Sequence, residues 1–162
     1  AEITQAGFLK KMVPLLQKDG RQYRKTQAVL ARKAVEGERI STFTKDGLET
    51  TNIADPDDYV VQNQTDTGEQ YIVDTQAFEK KYTLSKDLGG DYDQYQPVNP
   101  IFAIELTTDL LKDLQLTQEF HFIAAWGEPM RACQGDFLAS PPDFSEIYRV
   151  ARHEFFQTYS PV

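Results

Sequence analysis

The stretch that decides the fold occurs twice in this chain. It reads Glu69-Gln70-Tyr71-Ile72-Val73, followed by Phe78 and Tyr82, and it returns as Glu146-Ile147-Tyr148-Arg149-Val150, followed by Phe155 and Tyr159. Both copies have the spacing Glu-x-Tyr-x-Val-x4-Phe-x3-Tyr, and they lie 77 residues apart. A repeat of this kind indicates one small structural module that is used twice. We expect the shared Phe and Tyr to hold a short helix against the sheet of each module.

A second pair of matching segments precedes the repeat. These are Asp58-Tyr59-Val60-Val61 and Asp136-Phe137-Leu138-Ala139. In each segment the aspartate follows a turn, and an aromatic residue begins a strand. The local interpretation is that the Asp side chain caps the turn while the ring enters the core. A ligand-binding role for Asp58 and Asp136 is the alternative.

The remaining pattern predicts short strands joined by tight turns, with few helices. Residues 4–18 carry apolar side chains at helical spacing and predict an amphipathic helix that ends at Asp19-Gly20. The segment Thr44-Lys45-Asp46-Gly47 predicts a hairpin turn, because Gly accepts a positive φ without steric cost. Asp74 is predicted to cap a short helix that runs to Tyr82.

The fold class is therefore α+β and mainly β. We expect two tandem small β-barrel-like or curled-sheet modules, each ending in a short helix, and an N-terminal helix before them. The predicted divisions are an N-terminal helix at 1–20, β module 1 at 21–82, a linker at 83–96 and β module 2 at 97–162. The linker is predicted from its content of Gly, Asp, Tyr and Gln. The segment that begins at Tyr95 aligns with the one that begins at Tyr23, so we expect the modules to pack with pseudo-twofold symmetry.

Around these residues the chain resembles the bacterial PGDYG-type domain family, which is named for a Pro-Gly-Asp-Tyr-Gly stretch and has no known function. The resemblance covers most of residues 23–82 and, more weakly, residues 95–159. This chain has Asp55-Pro56-Asp57-Asp58-Tyr59 in one copy and Gln134-Gly135-Asp136-Phe137 in the other, and neither copy has the final Gly. The resemblance implies a fold pattern and no mechanism.

The composition argues against partners of negative charge. The 162 residues carry a formal net charge of −8. Because a negative surface repels phosphate backbones and anionic lipids, neither nucleic acid nor a membrane is an expected partner. Cys133 is the sole cysteine, so no internal disulfide can form, and residues 1–18 lack the apolar core of a signal peptide. These features favour a cytoplasmic location.

The most reactive stretch of this acidic chain is Arg149-x2-Arg152-His153-Glu154. The guanidinium groups of Arg149 and Arg152 could hold a carboxylate or phosphate, since guanidinium binds such groups bidentately. His153 could act as a general base with Glu154 nearby, and Tyr148 precedes the group. The alternative is a solvated helix face with internal ion pairs.

Other candidate groups have structural interpretations that we favour. His121 lies on the strand face opposite its two Phe neighbours. Cys133 is predicted as a small buried residue rather than a nucleophile. Trp126 could present its indole for ligand binding at a loop tip, although a hairpin turn with a packed Trp is the simpler interpretation. The aspartates near Asp58 do not have the spacing of an EF-hand loop, and the sequence has no Cys/His zinc pattern, so we expect no metal and no cofactor.

Three functions are compatible with these residues. The leading hypothesis is a soluble, non-catalytic binding or accessory protein of bacterial or phage type, with its site between the two repeats, because pockets favour such interfaces. The second is a small enzyme that acts on a nucleotide-like or phosphorylated metabolite through Arg149, Arg152 and His153. The third is a protein-interaction module that docks by its N-terminal helix. The expected partner is an unidentified small molecule or protein.

Overall fold

The computed structural model describes residues 2–162, except for the side chains of Phe43, Thr44, Leu48, Glu49 and Thr50. Strands predominate over helices, as the sequence predicted. The helices are α1 (Gln5–Lys18), α2 (Thr75–Lys81), α3 (Thr108–Asp113) and α4 (Arg152–Thr158). In the described part of the chain, no helix has the length and apolar character needed to cross a membrane.

The strands are short and follow one another closely. They are β1 (Arg21–Lys25), β2 (Val29–Lys33), β3 (Arg39–Thr44), β4 (Gly47–Ile53), β5 (Asp58–Asn63), β6 (Gln70–Asp74), β7 (Tyr82–Lys86), β8 (Asp93–Pro97), β9 (Ile101–Glu105), β10 (Glu119–Ile123), β11 (Pro129–Cys133), β12 (Phe137–Ser140), β13 (Tyr148–Val150) and β14 (Tyr159–Pro161). The chain divides into two compact units. Unit 1 comprises Ala1–Arg24 and Pro100–Val162, and unit 2 comprises Lys25–Asn99.

Unit 2 is built on a five-stranded sheet with the order β6-β5-β2-β8-β7 and a separate β3-β4 hairpin. The four neighbouring pairs in this sheet are antiparallel. Helix α2 begins where predicted, because the Asp74 carboxylate accepts a hydrogen bond from the Ala77 amide at 2.9 Å. The hairpin predicted around Thr44-Lys45-Asp46-Gly47 is confirmed, and Gly47 adopts a φ of 114°.

Unit 1 repeats this arrangement with different strands. Its five-stranded sheet has the order β13-β12-β9-β1-β14, and β10 and β11 form the separate hairpin. Helix α4 lies between β13 and β14, just as α2 lies between β6 and β7. Neither five-stranded sheet closes into a barrel. Of the two predicted forms, barrel-like or curled sheet, the structure is compatible with the curled sheet. Unit 1 also contains α1 and α3, which have no counterpart in unit 2.

The first strand of each sequence repeat lies in the sheet built mainly by the other repeat. Strand β1 pairs with β9, where Tyr23 is opposite Ile101. Strand β8 pairs with β2, where Tyr95 is opposite Val29. Tyr95 and Tyr23, which the sequence alignment matched, therefore occupy equivalent positions in the two sheets. Each of the two strands, however, belongs to the sheet formed mainly by the other repeat.

This exchange alters the predicted divisions of the chain. The segment 83–96, predicted as a linker, contains most of β7 and β8, which complete the sheet of unit 2. The N-terminal segment 1–20 belongs with the later residues of unit 1 rather than standing apart. The modules also do not end in their helices, because α2 is followed by β7 and α4 by β14. The polar composition of residues 83–96 is explained by exposure, since β7 lies at the sheet edge and is exposed after Tyr82.

A cluster of aromatic rings holds α2 against the sheet of unit 2. Phe78, at 2% exposure, is stacked on Tyr59 with centroids 3.9 Å apart and planes at 11°. Tyr95 meets the Phe78 ring edge-on at 4.8 Å and 78°. The centroid of the Tyr82 ring lies 5.0 Å from that of Phe78, with the ring planes tilted by 31°. The edge-on contact is an arrangement that aromatic quadrupoles favour.

Unit 1 contains the same cluster with nearly the same geometry. Phe155 is fully buried and stacked on Phe137 at 3.8 Å and 4°. Tyr23 meets Phe155 edge-on at 4.8 Å and 80°, and Tyr159 lies 5.1 Å away. The predicted role of the shared Phe and Tyr is confirmed in both units. In each unit the edge-on tyrosine comes from the exchanged strand.

Helix α1 belongs to the core of unit 1. The Thr4 side chain caps its first turn by accepting from the Gly7 amide at 3.1 Å. Its buried face presents Phe8, Met12 and Leu16, and the Phe8 ring lies 4.8 Å from that of Phe122. The apolar face on which the docking hypothesis depends is therefore covered within unit 1.

We expect Phe78→Ala and Phe155→Ala each to lower the free energy of unfolding by about 3–5 kcal/mol, because each deletion leaves a cavity in the aromatic cluster. Urea denaturation measures the loss. Phe156→Ala is the matched control: this ring is 58% exposed, and its removal should change the free energy by about 0.5 kcal/mol or less. Unchanged midpoints in both core variants would refute the placement of these rings.

Candidate functional site

Arg149 and Asp136 form a buried ion pair in unit 1. The Arg149 Nε lies 2.8 Å from Asp136 Oδ2, and the two side chains are only 4% and 5% exposed. Arg149 is on β13 and Asp136 comes just before β12, which pairs with β13. The sequence offered Arg149 as a ligand-binding group, and it offered ligand binding as the alternative to turn capping for Asp136. In the structure the Arg149 guanidinium contacts the Asp136 carboxylate of its own unit, so its positive charge is compensated within unit 1.

Asp58 and Asp136 cap equivalent turns, one in each unit. Asp58 Oδ2 accepts from the Asp55 amide at 2.8 Å, and Asp136 Oδ2 accepts from the Cys133 amide at 2.7 Å. The main-chain amide of each aspartate donates to the same residue that its carboxylate caps, at 3.0 Å in both cases. The predicted turn-capping interpretation is confirmed for both residues.

The two aspartates differ in their surroundings. The position that matches Arg149 in the repeat is Ile72, so Asp58 has no arginine from this strand. Burial is the main reason why the pKa of Asp58 lies above its ordinary value, and the nearby charges of Asp55 and Asp74 act in the same direction. Asp58 is only half-buried, and its carboxylate remains a structural cap.

Arg152 is the predicted arginine that stays at the surface. It begins α4, and its side chain is 53% exposed. Nη1 makes both of its polar contacts, a 3.2 Å ion pair with Glu105 and a 3.4 Å hydrogen bond to the Gly135 carbonyl. Among the described residues, Nη2 and Nε of Arg152 have no hydrogen-bond acceptor. Arg152 therefore presents a guanidinium edge whose position is set by contacts on the opposite side.

The ring of Phe156 lies beneath this guanidinium. The Arg152 Cζ is 5.1 Å from the ring centroid, which is a cation–π distance. These two residues are four apart on α4 and therefore share a helix face. Phe156 is 58% exposed, and its ring stands edge-on to the buried Phe137 at 5.4 Å and 90°. We call Arg152 and Phe156 together the arginine–phenylalanine patch.

Other predicted members of the reactive stretch lie elsewhere. His153 follows Arg152 on α4 and is half-buried, about a quarter-turn of the helix away from the patch. Glu154 is 1% exposed and lies on the buried side of the helix. Tyr148 is half-buried on β13. The expected association of Arg149, Arg152 and His153 in one exposed site is not present in the arrangement of unit 1.

The remaining candidates occupy positions close to those predicted. Trp126 lies in the turn between β10 and β11 and is 39% exposed, so the hairpin turn is confirmed but the indole is not enclosed. His121 is exposed on β10 while its neighbours Phe120 and Phe122 are buried. Cys133 is half-buried, and burial together with the Asp136 charge raises the pKa of its thiol. A raised pKa leaves less thiolate and disfavours a nucleophilic role.

Sequence reasoning missed Phe156. The repeat pattern draws attention to Phe155, whose matching residue is Phe78, whereas the matching residue of Phe156 is Glu79. The sequence did contain a signal for Phe156. It is an apolar residue that lies outside the repeated pattern and follows Arg152 by four positions. The patch therefore combines an exposed guanidinium donor with an exposed aromatic ring.

Searches for similar proteins found no match among protein-family models, curated proteins or solved structures.

We expect Asp136→Asn to destabilise the protein by about 3–5 kcal/mol, because it removes the carboxylate that compensates a buried guanidinium. Asp58→Asn is the matched change at the equivalent turn. An Asn oxygen can still accept the Asp55 amide, so this variant should remain within about 0.5 kcal/mol of the parent. Chemical denaturation at neutral pH measures both values, and equal losses would contradict the distinction drawn between the two aspartates.

Proposed function

We propose that the protein is a non-catalytic binding protein that takes a small molecule with a carboxylate or phosphate group at the arginine–phenylalanine patch. The single observation that carries this proposal is the open Nε–Nη2 edge of Arg152, which is exposed and oriented by Glu105 and Gly135. Guanidinium binds planar oxyanions through two parallel hydrogen bonds, which matches such an edge.

The contacts of Arg152 favour binding with little loss of side-chain entropy. An isolated surface arginine must be ordered when a ligand arrives, and ordering a long side chain costs about 0.5–1.5 kcal/mol. Here the ion pair with Glu105 and the ring of Phe156 already restrict the guanidinium. The Glu105 carboxylate also opposes an incoming anion, so a ligand must gain from geometry as well as from charge.

The exposed ring of Phe156 adds a preference for ligands with a planar apolar part. Its face and edge offer apolar area next to the oxyanion position, and burying such area contributes roughly 25 cal/mol per Å². An aryl phosphate or aryl carboxylate fits this combination better than inorganic phosphate does. An isolated surface cation would show no such preference for aryl ligands over inorganic phosphate.

The enzyme hypothesis has less support in this geometry. It requires Arg149, Arg152 and His153 to act on one substrate, yet Arg149 is buried against Asp136 and His153 lies off the face of the patch. The arrangement of these residues suits binding better than catalysis.

Thermal-shift measurements with phenyl phosphate, benzoate and inorganic phosphate test the proposal. A ligand at about 100 times its dissociation constant adds roughly 2.7 kcal/mol to the free energy of unfolding. We expect phenyl phosphate or benzoate to stabilise the protein more than inorganic phosphate does. Arg152→Ala should remove the shift. Arg152→Lys, which keeps the charge but loses the fork, should weaken binding about tenfold or more.

Two further variants make the test specific. Phe156→Leu should reduce the advantage of the aryl ligands over inorganic phosphate while leaving the arginine in place. Arg131→Ala changes a different, partly exposed arginine on β11 and should leave binding unchanged. A flat response to all three ligands, or an equal shift in Arg152→Ala, would reject the patch as the binding site.

A further inference from the structure

Unit 2 contains a buried lysine that is surrounded by three oxygen atoms. Lys25 is 7% exposed, and its Nζ lies 3.1 Å from Asn63 Oδ1, 3.0 Å from the Tyr71 hydroxyl and 3.1 Å from the Tyr82 hydroxyl. An ammonium group has three protons to donate, and these oxygens can accept all three. We call these four residues the lysine–tyrosine cluster.

The members of the cluster come from separate elements of the repeat. Lys25 ends β1, Asn63 ends β5, Tyr71 is on β6 and Tyr82 begins β7 directly after α2. Asn63 is 8% exposed, whereas both tyrosines are half-buried. The cation therefore lies against the hydroxyl groups of two half-buried tyrosines.

The hydrogen bonds have a definite direction. Asn63 Oδ1 accepts from Lys25, and because a carbonyl oxygen cannot donate, the Tyr71 hydroxyl must also donate to it, at 3.2 Å. Tyr71 has a single hydroxyl proton. In the 3.1 Å contact between Tyr71 and Tyr82, the donor is consequently Tyr82 while it is neutral, and once Tyr82 has lost its proton the Tyr71 hydroxyl can donate to the phenolate instead. Tyr82 is thus the first donor of a short chain that ends at Asn63.

Charge in the cluster favours the loss of that proton. Burial by itself would raise the pKa of Tyr82, but the Lys25 charge, the hydrogen bond with Tyr71 and the charge of Lys81 outweigh it, so the pKa lies below its ordinary value. Lys25, Tyr71 and Lys81 are the charged and titratable groups with the largest effects on Tyr82. The residue opposite Tyr82 on β8 is Pro97, which has no titratable group.

The second repeat supplies an internal comparison. It keeps both tyrosines, as Tyr148 and Tyr159. In the alignment of the repeats, Pro97 stands at the position of Lys25, and Pro141 stands at the position of Asn63. The sequence therefore retains the phenols in both repeats but supplies the cation and the amide in only one of them.

We propose that Tyr82 is a nucleophilic tyrosine and a covalent modification site for acyl-type and sulfonyl-type electrophiles. The Tyr82 proton passes to solvent, and Lys25 stabilises the phenolate that remains. With a sulfonyl fluoride, the phenolate oxygen attacks sulfur, the S–O bond forms, the S–F bond breaks and fluoride leaves. The Lys25 ammonium stays protonated throughout. This site is independent of the arginine–phenylalanine patch and of the binding function proposed for it.

Labelling of the full chain with an aryl sulfonyl fluoride, followed by peptide mass spectrometry, tests the proposal. Tyr82 should be modified faster than Tyr159, because Lys25 stabilises the Tyr82 phenolate and the second repeat has a proline at the position of this lysine. The rate at Tyr82 should rise with pH and level off at a lower pH in the parent protein than in Lys25→Met, because the Lys25 charge lowers the pKa of Tyr82. Lys25→Met should reduce the Tyr82 rate to that of Tyr159.

Two controls keep the result decisive. Tyr82→Phe must abolish the modified peptide. Tyr71→Phe removes one hydroxyl of the cluster and leaves Lys25 in place. It should slow the labelling of Tyr82, and it provides a second test if Lys25→Met does not fold. Equal labelling of Tyr82 and Tyr159 in the folded parent protein, or an unchanged Tyr82 rate in a folded Lys25→Met variant, would overturn the proposal and leave a purely structural lysine.

Discussion

The contact on which both units depend is the flat stacking of one phenylalanine on one aromatic strand residue. Phe78 lies on Tyr59 and Phe155 lies on Phe137, at separations that differ by only 0.1 Å. Each pair joins a short helix to a strand that follows a capped turn. A helix of seven residues is too short to be stable alone in water, so its position comes from this burial. An edge-on tyrosine completes the cluster in each unit.

That tyrosine links the aromatic contact to the course of the chain. Tyr95 enters the cluster of unit 2 and Tyr23 enters the cluster of unit 1, and both residues lie on exchanged strands. Neither sequence repeat can complete its aromatic cluster with its own first strand. The duplication therefore yields two sheets that each need residues from both halves of the sequence, and the repeats are not independent modules.

Because the two units share one arrangement of strands and aromatic rings, their charged and polar groups differ only where the two repeats have different residues. Unit 1 has an arginine at the position of Ile72 and uses it to compensate a turn-capping aspartate. It also has Arg152 and Phe156, where the first repeat has Thr75 and Glu79. Unit 2 has Lys25 and Asn63, where the second repeat has prolines. Both proposals rest on such departures, because positions common to the two repeats mainly serve packing and turn formation.

Local features of this fold could be predicted from the sequence, whereas features that depend on distant partners could not. The helix at α1, the cap at Asp74 and the turns at Asp58 and Asp136 follow from short-range spacing and capping chemistry. The strand exchange does not, since residues 83–96 read as a linker until their partners in β2 are known. The burial of Arg149 could not be predicted either, because its partner is the Asp136 carboxylate 13 positions earlier. From the sequence alone, this arginine was therefore a candidate for ligand binding.

The measurement that tests the central claim most directly is a nuclear Overhauser spectrum of the intact protein with assigned aromatic rings. Strand exchange predicts cross-peaks between Tyr95 and Phe78 and between Tyr23 and Phe155, whose ring centroids are 4.8 Å apart in both cases. Cross-peaks between Tyr23 and Phe78 and between Tyr95 and Phe155 would mean that each repeat keeps its own first strand. That result would contradict the account.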